Sequence, residues 1–448
     1  MNFVEKKSTF HFPIAEVTQN GVGHCNDEEV FCGLVLAGGE GKRLQPFIKS
    51  LGKGTLPKQY VNFIGSRSML EHTLQRAEKL IPSERVLTII TESHLRYPEA
   101  RQQCSCRPKD TVIVQPENKE TGPGLLFPLM HLYKRYPNSL VLVLPSDHFI
   151  WEEDRLMDHA RLACLAVKRD PSRLILLGVK PDRDEPEYGY LLPNKQLLDI
   201  GPDMSEISWF IEKPDKKTAG RLIRAGGLWN TMIIAFKTKT MLHWMSKLIP
   251  SLYRQFQQVY EVLGTPDEAE VVRNIYQRLK PINFSKEFLE PMAKHYPSSL
   301  VALPIRNFLW SDWGTASRIT DVLTKIGKVP RLEESRRPTG KKIASGYDLL
   351  EDLPFNGRDL PVSQVIRNSL QKQPKSNGNN FLPRESKERR PYGNNSVNHS
   401  YFVARRSIAD MALQLGMGLL PERRSRACFT NTNHIAAYGT HMTSYFPR

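Results

Sequence analysis

The chain has 448 residues, a net charge of +16, 40% hydrophobic and 25% charged residues, an ordinary makeup for a soluble globular protein of two or three domains. No apolar run approaches the roughly 20 residues that span a bilayer. The start, Met1-Asn2-Phe3-Val4-Glu5-Lys6-Lys7, lacks the apolar stretch of a secretory signal. Six cysteines do not make a disulfide framework in a chain of this length, so reduced thiols in a cytoplasm are expected.

Residues 1–30 are polar without a period and read as an N-terminal extension. From Phe31 the pattern becomes α/β. Cys32-Gly33-Leu34-Val35 is an apolar run that reads as a buried strand. Residues 69–77 have helical spacing, 86–91 and 112–114 are β-branched strands, and 125–134 read as a helix. Residues 140–144 are wholly apolar, as in a parallel strand covered on both faces. A helix over 159–168 and a strand over 174–179 follow. This alternation predicts a doubly wound, mostly parallel sheet. Residues 185–240 are richer in short strands and turns and suit an inserted subdomain over the strand ends. Residues 241–300 read as helical. Beyond about residue 335 the periodicity fades. The predicted division is an extension (1–30), a catalytic domain (31–330) and a basic, low-complexity, poorly ordered tail (331–448). The tail holds about +9 of the net charge and one apolar patch, Met411 to Leu420, that reads as a docking helix.

The most informative segment is Leu36-Ala37-Gly38-Gly39-Glu40-Gly41-Lys42-Arg43-Leu44, followed by Pro57-Lys58-Gln59. A strand, a glycine-rich turn and then cations suit a polyanionic nucleotide, because glycines let backbone N–H groups approach phosphate oxygens. It is not a P-loop: Leu36 stands where the first glycine belongs, and Arg43 where Ser or Thr belongs. It is not a dinucleotide fingerprint either, since Leu44 replaces the third glycine. Asp147 follows the apolar run 140–144, at a strand's carboxyl end, where open α/β sheets place ligands. It could also cap a helix. Asp312, in Trp310-Ser311-Asp312-Trp313-Gly314-Thr315, has the same two options.

These elements resemble, in order, the motifs of the sugar-phosphate nucleotidyltransferases: the glycine loop, Pro-Lys-Gln, a Thr121-Gly122-Pro123-Gly124 loop, Pro145-Ser146-Asp147-His148, Tyr188-Gly189-Tyr190, Phe210-Ile211-Glu212-Lys213-Pro214, Trp229-Asn230 and Asp312-Trp313-Gly314. Gln59 makes the chain look like the mannose-1-phosphate guanylyltransferase branch. The resemblance implies nucleotide binding by Leu36, Ala37, Gly38, Gly39, Gly41, Arg43, Glu117 and Thr121. It implies sugar binding by Gly189, Glu212, Lys213 and Asn230. Arg43 would contact the triphosphate, Lys58 would bridge the reacting phosphates, and Lys213 would hold the sugar phosphate. Asp147 and Asp312 would hold Mg²⁺, which needs only one or two carboxylates plus phosphate oxygens. The implied reaction joins a nucleoside triphosphate to a sugar 1-phosphate, with GTP and mannose 1-phosphate favoured. Attacker and target are both anions, so positioning and charge neutralisation matter most. His148 reads as a structural or outer-shell histidine, since the attacking phosphate is already ionised.

Departures are plain. The loop between Arg43 and Pro57 is about four residues longer than the guanylyltransferase pattern. Gly122 and Gly124 replace alanines, Trp313 stands where a smaller residue is usual, and Thr231-Met232 replaces Ser-Gly. Three alternatives therefore stay open. One is the same chemistry on another nucleotide or hexose 1-phosphate. Another is a catalytically weak paralogue that binds nucleotide sugar. The third is a functional basic tail that binds nucleic acid or a membrane surface. Small-molecule substrates are the expected partners, without membrane or nucleic acid, and a homo-oligomer is left open.

Overall fold

The computed structural model describes residues 30–201 and 203–327. The expected extension up to residue 29, and the tail with Met411–Leu420, lie outside the described residues.

The first half runs β1 (Phe31–Leu36), α1 (Gln45–Ser50), α2 (Met69–Ala77), β2 (Val86–Thr91), α3 (Pro98–Ser105), β3 (Val112–Gln115), α4 (Thr121–Arg135), β4 (Leu140–Pro145), the short β5 (Phe149–Ile150), α5 (Glu153–Arg169) and β6 (Leu174–Val179). The second half continues with β7 (Gly189–Gln196), β8 (Ser205–Glu212), α6 (Lys216–Arg224), β9 (Leu228–Lys237), α7 (Thr238–Leu248), α8 (Pro250–Val262), α9 (Glu268–Arg278), α10 (Glu290–His295), β10 (Leu300–Ile305), β11 (Trp310–Ser311) and α11 (Ala316–Lys325).

Nine strands form one sheet in the order β3-β2-β1-β4-β9-β6-β10-β8-β7. β1 pairs in parallel with β2 and β4, β2 with β3, and β6 with β10. β4 and β6 are buried along their whole length, as their unbroken apolar sequences require when helices cover both faces. Cys32 and Leu34 of β1, and Val141 and Val143 of β4, share a core cluster with α4, α7 and α8. Their spacing of two puts them on one face. α2 and α5 also pack on β4. Ser68 starts α2 with a reciprocal cap: its Oγ accepts from Glu71 N at 3.1 Å, and Glu71 Oε2 accepts from Ser68 N at 2.7 Å.

The sheet is doubly wound, as expected, but mixed rather than mostly parallel, with four parallel and five antiparallel strand pairings. It also differs in where residues 185–240 lie. They do not stand apart over the strand ends. β7 and β8 extend the sheet's edge as antiparallel strands, and β9 runs antiparallel between β4 and β6. The physical reason lies in Ile233, Ile234, Ala235 and Phe236. All are essentially inaccessible, an apolar run that only the sheet's interior can absorb. β9 bulges on the way: Leu176 faces Ile234 but Gly178 faces Asn230, so the three residues Thr231–Ile233 stand opposite Leu177 alone, two more than a regular ladder holds.

Candidate active site

The glycine loop leaves the carboxyl end of β1 and is held by its carbonyls. Gln59, 2% exposed, donates from Nε2 to Ala37 O at 2.7 Å and to Gly39 O at 2.8 Å. Thr91 Oγ1 donates to Gly38 O at 2.9 Å, and Gln115 Nε2 donates to Thr91 Oγ1 at 3.0 Å. Three successive carbonyls are thus engaged by the protein, and the polarity left to offer an anion is that of the N–H groups. A Cβ on Gly38 would lie 2.5 Å from Gln115 Nε2. Gly41 has φ +60°, the left-handed conformation glycine adopts freely.

Beside this loop lies a cavity of about 250 Å³, lined by Leu36, Gly38, Gly39, Asn118, Thr121 and Met232 among others. Thr121 Oγ1 accepts from Phe284 N at 2.9 Å, which ties the start of α4 to the 282–284 segment. Glu117 is not among the residues lining the cavity. It is exposed and pairs with Lys119 at 2.9 Å. Gln115 and Asn118 line the cavity from the same stretch.

Lys58, 4% exposed, is the hub of the charged cluster. Its Nζ lies 2.8 Å from Asp147 Oδ2 and donates to the main-chain oxygen of Asp312 at 2.6 Å. Both oxygens of the Asp312 carboxylate accept from Arg318 Nη1, at 2.8 and 3.0 Å. Oδ1 also accepts from Tyr188 Oη at 2.9 Å and Gly314 N at 3.0 Å. Arg43 pairs with Glu187, and its Nη2 is 3.9 Å from Asp312 Oδ2. Asp312 does not cap α11; Thr315 does, accepting from Arg318 N at 3.4 Å. Burial would raise the pKa of both aspartates, but the ammonium of Lys58, aided by Arg318 at Asp312, holds both carboxyls below the usual range. His148 Nδ1 accepts from Trp310 Nε1 at 3.3 Å, which leaves Nε2, 3.8 Å from Asp147 Oδ1, as the protonated nitrogen. Burial, outweighing Asp147, pushes its pKa down.

The residues expected to bind sugar gather where β7, β8 and β9 meet. Gly189 pairs with Glu212, and a Cβ there would lie 2.7 Å from Glu212 Oε2 and 3.5 Å from Asn230 Cβ. Burial raises the Glu212 carboxyl, with Glu290 and Glu120 acting the same way against Lys213 and Ser285. Asn230, 7% exposed, accepts at Oδ1 from Met232 N at 3.0 Å. Met232 holds φ +55° in the β9 bulge. Lys213 is exposed at φ +50°, with its N donating to Tyr188 O at 3.2 Å.

The structure therefore brings Arg43, Lys58, Asp147 and Asp312 to one place, with Gly189, Glu212 and Asn230 as a second group. Sequence reasoning passed over Gln115, Glu187 and Arg318. None carries a local signal, because each acts on a residue far away in the chain or hidden in another element. Among the described residues no three His, Cys, Asp or Glu side chains converge on a metal-sized site. Asp147 is partly open to solvent, but both Asp312 carboxylate oxygens accept from Arg318, so a cation held by the two would share Asp312 with that guanidinium and draw its other oxygens from phosphate and water.

Residues 32–329 match the family described as nucleotidyl transferase. The chain belongs to that family. Curated relatives include the xanthan biosynthesis protein XanB of Xanthomonas campestris pv. campestris (strain B100), 26% identical over 299 residues, covering 66% of this chain and 60% of that protein. A mannose-1-phosphate guanylyltransferase of Escherichia coli is 30% identical over 230 residues, covering 50% of this chain and 48% of that one. The matched region thus spans about three-fifths or less of the curated relatives' length. A solved structure described as mannose-1-phosphate geranyltransferase from Thermus thermophilus shares the fold, with TM-score 0.55, 24% identity, and coverage of 66% of this chain and 79% of that one. Among the described residues no helix is long and apolar enough to cross a membrane.

Proposed function

We propose that this member of the nucleotidyl transferase family joins a nucleoside triphosphate to a sugar 1-phosphate and releases pyrophosphate, with GTP and mannose 1-phosphate as the favoured pair. One observation carries the reading: Arg43, Lys58, Asp147 and Asp312 converge beside a cavity bordered by the glycine loop. An oxygen of the sugar phosphate attacks the α-phosphorus, and the bond to the pyrophosphate oxygen breaks. No covalent intermediate or general base is needed.

The side chains bind, orient and neutralise. The glycine loop presents N–H groups to the triphosphate. Arg43 is half exposed and its close partner, Glu187, is also at the surface, so it is free to exchange that partner for phosphate. Lys58 sits between the two aspartates and neutralises charge on the reacting phosphates. Lys213 holds the sugar phosphate, while Glu212 and Asn230 accept and donate to sugar hydroxyls. Asp147 and Asp312 would hold Mg²⁺, which would offset the charge of the triphosphate. Arg318 fixes the Asp312 carboxylate in place. A reducing cytoplasm suits Cys32, Cys104, Cys106 and Cys164, which form no disulfide among the described residues.

The test is pyrophosphate release over a matrix of GTP, UTP, dTTP and CTP against several hexose 1-phosphates, with and without Mg²⁺. Turnover is expected with GTP and mannose 1-phosphate in the presence of the ion. No turnover with GTP on any sugar rejects the favoured pair. Met232 supports a second reading. Its side chain lines the cavity from a left-handed position where the family's pattern has glycine, which suits a weakly active chain that binds nucleotide sugar. Measurable GDP-sugar binding with no pyrophosphate release would favour that reading.

A further inference from the structure

A second cavity, also about 250 Å³, lies on the other side of His148, which lines both. One part of its wall is aromatic. Phe149 stacks on Trp313 with centroids 4.6 Å apart and planes at 10°, Phe63 meets Trp313 edge-on at 5.3 Å, and Trp151 stacks on Phe149 at 6.4 Å. Trp151 is 48% exposed, large apolar surface left in solvent beside the cavity. The rest of the wall is polar and cationic, with Arg67, His72, Gln75 and Arg76.

This wall is rich in donors and poor in acceptors. Arg76 is 2% exposed, yet its Nε has no hydrogen-bond partner; Glu153 Oε1 is 3.6 Å away. Trp313 is also 2% exposed, and its Nε1 is unpartnered too. Glu153, the carboxylate lining the cavity, is shared by Arg76, Lys79 at 3.5 Å and His72 at 3.8 Å. Buried donors without acceptors are costly, and one carboxylate serves three cations here, so the site is short of an oxyanion. Stacked rings beside it suit a flat body. The volume lies below the roughly 300–1,000 Å³ of pockets for drug-sized ligands, which favours one ring over a nucleotide sugar.

We propose that this cavity binds a small phosphomonoester carried on a single ring. Its phosphate takes Arg76 Nε, in place of Glu153 at 3.6 Å, and the Trp313 Nε1 proton. Both atoms are buried, so binding opens the wall locally, and the ring packs against Trp151 and Phe149. The site is separate from the proposed catalytic one, but the two are mechanically close: Phe149 lies two residues after Asp147, and Trp313 directly follows Asp312. Occupancy therefore acts on the two carboxylates. By linkage, the ligand changes nucleotide affinity by the factor that nucleotide changes its own.

The experiment uses the full chain and follows tryptophan fluorescence and titration calorimetry. Glucose 6-phosphate, ribose 5-phosphate and inorganic phosphate are the probes. A sugar phosphate should bind saturably and at least tenfold tighter than inorganic phosphate, and the better of the two sugars identifies the ring size. Trp151→Ala, at an exposed position, and Arg76→Gln should each weaken binding at least tenfold. Lys213→Ala should remove at most a separate, Trp151-independent component and leave the Trp151-dependent binding in place. No saturable binding, equal binding of inorganic phosphate, or binding lost in Lys213→Ala and retained in Trp151→Ala would each overturn the proposal. The binding readout does not require turnover, so failure of the functional reading leaves this test intact.

Discussion

The nucleotide side and the sugar side of the site are built by different means. On the nucleotide side, the backbone takes a left-handed turn at Gly41, and buried side chains (Gln59, Thr91, Lys58) do the fastening. Left-handed φ values also fall on non-glycine residues, on Lys213 and Met232 and, on the wall of the cavity beside the glycine loop, on Glu120, where each costs on the order of 1–3 kcal/mol. Glycine would carry less strain at each position. A strained lysine beside Glu212, and a strained methionine on the cavity wall, indicate that the side chain itself is needed there. The first side is fastened by buried side chains, and both give up some stability for placement.

The largest expected effect tests the hub of the nucleotide side. Lys58→Ala should lower kcat/KM by about 10³-fold, on the order of 4 kcal/mol, and Lys58→Arg should restore part of it. Steady-state pyrophosphate release measures both. If the loss is under tenfold, Lys58 is only a strut for Asp147.

Next comes pH, where the two sides carry opposite signs. His94 donates to or accepts from Tyr60 Oη at 3.1 Å, next to Gln59, and burial drops its pKa to about 4. His131, on α4 itself, is lowered to about 4 by burial and by Arg135 and Lys134. Between about 6.5 and 4 the unfolded chain binds more protons at these sites. Stability therefore falls as pH falls through that window, by up to about 1.4 kcal/mol per unit for each histidine. Glu212 opposes this. Its folded pKa is raised, so its ionisation removes stability as pH rises from the unfolded value, and acid relieves it. Urea melts across pH should show a positive slope that shrinks in His94→Gln and steepens in Glu212→Gln.

A smaller change probes the cradle directly. Gly38→Ala puts a Cβ 2.5 Å from Gln115 Nε2 and should cost about 1–3 kcal/mol in a thermal melt, with weaker nucleotide binding. Gly39→Ala, with nothing within 4 Å, should be nearly neutral for stability. The smallest effect is on the sugar side. Met232→Gly relieves the left-handed strain but loses packing and the 3.5 Å contact from Ser285 Oγ to its sulfur, so stability should move by less than about 1 kcal/mol. The ratio of kcat/KM between two hexose 1-phosphates should nonetheless shift severalfold. An unchanged ratio would show that the methionine does not face the sugar.

The same contrast governs what could be read from the sequence. The strands at 86–91 and 174–179, and the helix at 69–77, coincide with β2, β6 and α2, because period and apolar runs are local properties. The glycine loop and both aspartates were legible through ordered motifs. The course of β9 was not. Its apolar run looks alike in a small subdomain and in the middle of a sheet, and only pairing with β4 and β6 decides. Arg318, which forks onto Asp312, and Gln115, which Gly38 must accommodate, were likewise hidden. Their partners lie in other elements, and a buried arginine reads in sequence like any helix-surface cation. Glu117 illustrates the converse: a plausible acceptor for a nucleobase that the structure leaves paired to Lys119 outside the cavity lining.

The path of β9 has a consequence for how the molecule can be divided. Nicking the chain between β6 and β7 would separate the glycine loop and Asp147 from the sugar-side residues and Asp312. The first fragment would then lack the strand that sits between β4 and β6, leaving two raw edges inside its own sheet. Neither piece should persist alone, yet the pair should reassociate on mixing, with the missing ribbon supplied in trans. Such a split would make reassembly itself the reporter of the proposed activity.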